Sequence, residues 1–139
     1  MLRALEEGDR VKMAKKVLII DDDAEYVEAI ANLLDAKGYD VTSASNGNDG
    51  VRMAKTERPD LILLDVMMTT KSEGFSVARE LHEDPSLRTT PVIMVTGVRK
   101  EMSLPFGFEP DGDWLPVKAV LEKPVKPELL LKTIHDSLG

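Results

Sequence analysis

Six side chains with acid, hydroxyl or ammonium groups stand directly behind short apolar runs. Asp21, Asp22 and Asp23 follow Val17-Leu18-Ile19-Ile20, Asp65 follows Leu61-Ile62-Leu63-Leu64, Thr96 follows Val92-Ile93-Met94-Val95, and Lys123 comes just after Ala119-Val120-Leu121. Singly, each has an ordinary explanation. An aspartate triplet ahead of a helix usually supplies an N-cap and a favourable dipole contact, and Asp23 is assigned that role. A lone Asp ends a turn, a lone Thr belongs to a strand, and a Lys-Pro pair stops one. Brought to one rim, they would do more. Clustered carboxylates repel one another, and a hard cation relieves them. Magnesium takes oxygen ligands, keeps several waters and is often bound with phosphate oxygens. A carboxylate beside such a cation can attack phosphorus and form an aspartyl phosphate, while Lys123 and Thr96 stabilise charge on the transferring oxygens.

The elements needed to bring them together are legible. The runs that begin at Val17, Leu61 and Val92 are apolar at every residue, as expected of strands covered on both faces. Val41 to Ala44 is mixed, which suits a strand nearer an edge. Between the runs lie helical patterns. Val27, Ile30, Ala31 and Leu34 form one stripe, with Gly38 as its stop. Val51 and Ala54 mark a second helix closed by Pro59, and Phe75, Ala78 and Leu81 mark a third. Pro127 opens the last helix, with Leu130, Ile134 and Leu138 on one face. Residues 97–116, which include Pro105, Pro110 and Pro116, give a poor helical signal. Five strands alternating with helices imply a sheet covered on both sides by crossover connections. In such a sheet the functional crevice lies at the carboxyl ends of the strands, where the six residues stand.

Composition sets the bounds. The 139 residues fit one domain with one core. The domain is expected over residues 15–139, with residues 1–14 an N-terminal extension, ordered or not; Met13-Ala14 would itself be a plausible start. A net charge of −7 disfavours direct nucleic-acid binding and attraction to anionic membrane, and suits cations. The absence of cysteine excludes disulfides and thiolate metal sites. No secretory signal or membrane-length apolar run is legible, so a cytoplasmic protein without membrane insertion is expected.

With VLIIDDD, LILLDVMM, VIMVTG and LEKPV in this order, the sequence resembles the receiver domains of two-component response regulators over about residues 15–138. The resemblance implies an α/β, flavodoxin-like, doubly wound parallel sheet of five strands in the order 2-1-3-4-5, with helices on both faces. It implies that Asp65 is the phosphoacceptor, and that Asp21 and Asp22 bind magnesium together with Asp65 and the backbone carbonyl of Met67, manganese being able to substitute. Thr96 would be the switch hydroxyl and Lys123 the lysine that pairs with the phosphoryl group. The implied partners are a sensor histidine kinase or a histidine phosphotransfer protein as donor, and a downstream target. The domain would signal rather than act as an enzyme, catalysing only its own phosphorylation and slow dephosphorylation. With no output domain after Gly139, it would act as a stand-alone, chemotaxis-regulator-like receiver.

Three departures from the family pattern stand out. Thr69 occupies the place of a usual proline, in a loop from Asp65 to Gly74 that is one residue longer than usual. Val120 occupies the usual aromatic switch position, and the stretch between Thr96 and Lys123 is lengthened. Output is therefore expected to run through residues 97–116, with the partner surface there and on the last helix and Phe106, Phe108 and Trp114 as candidate contacts. Apolar Met67 and Val98 beside the expected water path imply slow loss of phosphate.

Other sites fit less well. A phosphate loop at Gly107 to Gly112 fails because Asp113 replaces the lysine, and an EF-hand starting at Asp21 fails because Tyr26 replaces the glycine. His82 and His135 have no ligand spacing. A haloacid-dehalogenase-type phosphatase would use Asp21 as nucleophile with Asp23, but Glu25 breaks its motif, no acidic pair follows Lys123, and Asp65 is left without a role. A degenerate receiver acting only as a binding module would lack an acid or the lysine, and both are present.

Overall fold

The computed structural model describes residues 14–65, 73–96 and 117–138, with the backbone alone at residues 73–75 and 96. Five strands form one parallel sheet: β1 (Lys16–Ile20), β2 (Asp40–Ala44), β3 (Leu61–Asp65), β4 (Val92–Thr96) and β5 (Ala119–Glu122), in the order β2-β1-β3-β4-β5. Four helices lie among the described residues: α1 (Ala24–Ala36), α2 (Gly47–Glu57), α3 (Glu73–Glu83) and α4 (Pro127–Leu138). The strand order and the helices agree with the expected architecture. β3, β4 and β5 each run one residue past their apolar runs, so that Asp65, Thr96 and Glu122 still belong to the ladder, while β1 ends at Ile20, just ahead of Asp21.

Side chains alternate across a strand, and here both faces are buried. Val17, Ile19, Leu61, Leu63, Ile93, Val95 and Leu121 pack on one face with Leu34 of α1 and Leu130 and Ile134 of α4. Leu18, Ile20, Ile62, Leu64, Val92 and Met94 pack on the other with Val51 and Ala54 of α2 and Val77, Ala78 and Leu81 of α3. That is why β1, β3 and β4 read as unbroken apolar runs. The mixed β2 lies at the sheet edge.

The helix ends follow local rules. Asp23 caps α1, its Oδ1 accepting from the Tyr26 backbone N–H at 3.1 Å. Gly38 takes φ +90° just after α1, where its N–H reaches the Asp35 carbonyl. Asn46 caps α2 by accepting from the Asp49 N–H at 2.8 Å. Arg58, barred from the helical region by Pro59, ends α2 in the left-handed region at φ 50°. Among the described residues no helix is long and apolar enough to cross a membrane. Most of the expected N-terminal extension, the loop holding Met67 and Thr69, and residues 97–116 with Val98, Phe106, Phe108 and Trp114 lie outside the described residues.

Candidate functional site

Register converts sequence position into proximity. Ile20 pairs with Leu64, so the next residues, Asp21 and Asp65, emerge side by side from β1 and β3. Asp65 pairs with Val95 on β4, and Thr96 pairs with Glu122 on β5, directly ahead of Lys123. The backbone thus brings Thr96 to the same carboxyl-terminal rim; its side chain, like all of Met67, lies outside the described residues. The peptide bond from Lys123 to Pro124 is cis.

Asp21 and Asp65 are the buried charged residues of the described structure, at 3% and 5% exposure. Carboxylates are rarely buried this far unless paired or ligating. Lys123 supplies the pairing: its Nζ lies 3.2 Å from Asp21 Oδ2 and 3.8 Å from Asp65 Oδ1. Asp21 Oδ1 accepts from the Asp23 backbone N–H at 2.9 Å, and the Asp21 N–H donates to the Ala44 carbonyl, which fixes the acid to the end of β2 as well. Asp22 is exposed. One carboxylate oxygen each from Asp21, Asp22 and Asp65 lies within 4.8 Å of the others. A single ammonium shared by the two buried acids leaves net negative charge here. An all-oxygen, all-anionic donor set open to solvent through Asp22 fits a small hard cation such as magnesium.

One residue of the site was not found by motif reasoning. Tyr26, on the first turn of α1, lays its ring over Lys123, with Nζ 4.1 Å from the ring centroid. It also lines a small cavity with Asp21, Asp65 and Val95. Burial, and then the charges of Asp21, Asp65 and Asp23, push its hydroxyl up to about 12, so the ring is a neutral phenol at neutral pH. The sequence signal was available in principle: an aromatic at the N-terminal end of the helix that follows the acidic pair. His82 and His135 are exposed on α3 and α4, away from this rim. Val120 is half-buried against the α2 and α3 side of the core.

Similarity to known proteins agrees with this geometry. Residues 17–135 match the family described as the response regulator receiver domain. Protein PilH of Pseudomonas aeruginosa is 35% identical over 124 residues, covering 89% of this chain and 98% of that protein. The alkaline phosphatase synthesis transcriptional regulatory protein PhoP of Bacillus subtilis is 37% identical over 101 residues, 73% of this chain and 41% of that longer protein. Among solved structures, the receiver domain of a Pseudomonas aeruginosa sensor histidine kinase, which holds a magnesium ion coordinated in its active site cleft, superposes with a TM-score of 0.76 at 25% identity, covering 91% of this chain and 98% of that one. The chemotaxis response regulator CheY4 of Vibrio cholerae superposes with a TM-score of 0.76 at 28% identity, covering 89% and 98%. With a shared sheet order, a matching sequence profile over most of its length and a 35%-identical relative covered almost end to end, the chain belongs to the response regulator receiver domain family of two-component signalling.

Proposed function

We propose that Asp65 is the residue of this receiver that accepts the phosphoryl group, from a sensor histidine kinase or a histidine phosphotransfer protein. The observation that carries the proposal is the pair of buried acids, Asp21 and Asp65, joined by Lys123 at the carboxyl end of the sheet. A carboxylate oxygen of Asp65 would form the new bond to phosphorus as the donor's P–N bond breaks, the electron pair leaving with the imidazole nitrogen. Lys123 is placed to follow the charge from the carboxylate to the phosphoryl oxygens. Thr96, one residue past the partner of Asp65 on β4, is assigned the hydroxyl that binds another of those oxygens. Asp21, Asp22, Asp65 and the Met67 carbonyl would hold magnesium, or manganese in its place. When bound, the cation supplies positive charge to the transferring oxygens. Signal output would pass to a downstream protein target.

The test is to incubate the protein with acetyl phosphate and magnesium and to map the acyl phosphate by peptide mass spectrometry. It should fall on Asp65. A phosphoryl group on Asp21 would overturn the assignment and favour the phosphatase chemistry of the haloacid dehalogenase type instead.

The acidic row separates two roles that the sequence alone leaves adjacent. Asp22→Ala removes a ligand and should weaken magnesium binding, followed by titration, by about 10-fold or more. Asp23→Ala removes the cap on Tyr26 N–H and should cost about 1 kcal/mol of stability with metal affinity nearly unchanged. Equal magnesium affinity in wild type and Asp22→Ala would remove Asp22 from the donor set.

A further inference from the structure

Lys123 approaches two carboxylates, but its side chain is still 24% exposed and four methylenes long. Nothing in the two ion pairs alone keeps it from swinging outward, since a lysine ammonium is strongly hydrated and its stem is free to rotate. The ring of Tyr26 provides a third contact, its centroid 4.1 Å from Nζ.

The contacts form a closed circuit. Asp21 Oδ1 accepts from the Asp23 N–H, the Asp23 carboxylate accepts from the Tyr26 N–H, the Tyr26 ring faces Lys123 Nζ, and Lys123 returns to Asp21 Oδ2. The cap that starts α1 therefore also fixes the backbone that carries the ring. Tyr26 also borders the cavity lined by Asp21 and Asp65, so the ring is shared between the lysine and the two acids it pairs with.

We infer that Tyr26 is a positioning residue for phosphoryl transfer: its ring face holds the Lys123 ammonium between Asp21 and Asp65, where the incoming phosphoryl oxygens need it. The attraction is between a cation and the negative face of the ring, so the ring matters and the hydroxyl does not. This inference rests on Asp65 being the acceptor and Lys123 its charge partner.

The experiment compares wild type, Tyr26→Phe and Tyr26→Leu for the rate of Asp65 phosphorylation by acetyl phosphate, and by NMR for the ring-current shift of the Lys123 ε-methylene. Tyr26→Phe should stay within about twofold of wild type, and Tyr26→Leu should be about 3- to 30-fold slower, the range that cation–π contacts span from exposed to desolvated sites. The upfield ε-methylene shift should be present in wild type and Tyr26→Phe and lost in Tyr26→Leu. Should Tyr26→Leu not fold, Tyr26→Met, with a flexible apolar side chain, takes its place. A leucine or methionine variant as fast as wild type overturns the inference. So does a phenylalanine variant as slow as leucine, and so does a wild-type lysine without the shift. If wild type itself takes no phosphoryl group on Asp65, the functional proposal fails, while the NMR comparison still decides whether the ring holds the lysine.

Discussion

Lys123→Met should slow the phosphorylation of Asp65 by acetyl phosphate by about 100- to 1,000-fold, the scale on which loss of one positioned donor acts on a charge-developing transition state. Methionine keeps much of the length and apolar stem of lysine, so packing beside Tyr26 changes little and the lost charge dominates. The same substitution leaves two buried carboxylates facing each other without the ammonium between them. Breaking a fully buried pair costs about 3–5 kcal/mol; with Lys123 partly exposed, about 1–3 kcal/mol is expected in metal-free protein. Magnesium should then bind more tightly, because the competing cation is gone. A ligand that binds the folded state alone stabilises it by an amount that grows with the logarithm of one plus the ratio of its concentration to its Kd. The rise in melting temperature on adding magnesium should therefore be larger in Lys123→Met than in wild type, even though phosphorylation is far slower. A variant phosphorylated within threefold of the wild-type rate would remove Lys123 from the chemistry, and an unchanged magnesium response would show that the lysine and the metal do not share the acids.

The site was legible in the sequence to the extent that strand ends define it. β1, β3 and β4 are covered on both faces, so their apolar runs are unbroken and their ends are sharp, and Asp21 and Asp65 follow from position alone. The parallel register then converts "next after the run" into neighbours in space. Asp23 was separable from Asp21 and Asp22 because capping is a local rule, and the structure gives it the expected cap on α1. Tyr26 over Lys123 was not legible. Its partner comes from the far end of the chain, and a half-buried aromatic on the stripe side of an amphipathic helix has the same pattern whether it covers a core leucine or an ammonium. Gly50 was missed for a related reason. Its meaning depends on how closely α2 approaches β1, a distance set by packing and not by either segment's own pattern.

Gly50→Ala should lower stability by about 2 kcal/mol, against the usual direction for glycine in a helix. Within a helix interior alanine is favoured over glycine by about 0.5–1 kcal/mol. Here a Cβ on Gly50 would lie 2.6 Å from Ile20 Cδ1, 2.8 Å from Cγ1 and 2.9 Å from Cγ2. All three are closer than real Cβ contacts. Ile20 has nowhere to go, being fully buried on β1 with Ala44 and Leu64 as its paired neighbours. Overpacking of this kind costs about 1–3 kcal/mol, and three simultaneous overlaps with a fully buried side chain place it at the upper end, so the clash outweighs the helical gain. For a chain of this size the melting temperature should fall by roughly 8 °C, at about 4 °C per kcal/mol. Ile20→Val removes the nearest of the three atoms and alone should cost about 1 kcal/mol. In the double variant the two costs should fall short of additive by at least about 0.5 kcal/mol, as contacting residues do. The strain also bears on function, because Ile20 is the residue before Asp21: pressure on Ile20 is passed along the backbone to the acid that Lys123 pairs with. Gly50→Ala should therefore also weaken magnesium binding at temperatures where it remains folded, and Ile20→Val should partly restore it. Thermal melts and magnesium titrations of the four proteins in the cycle test both claims. A Gly50→Ala protein as stable as wild type would show that α2 can move off the sheet freely, and strictly additive costs would show that the alanine meets something other than Ile20.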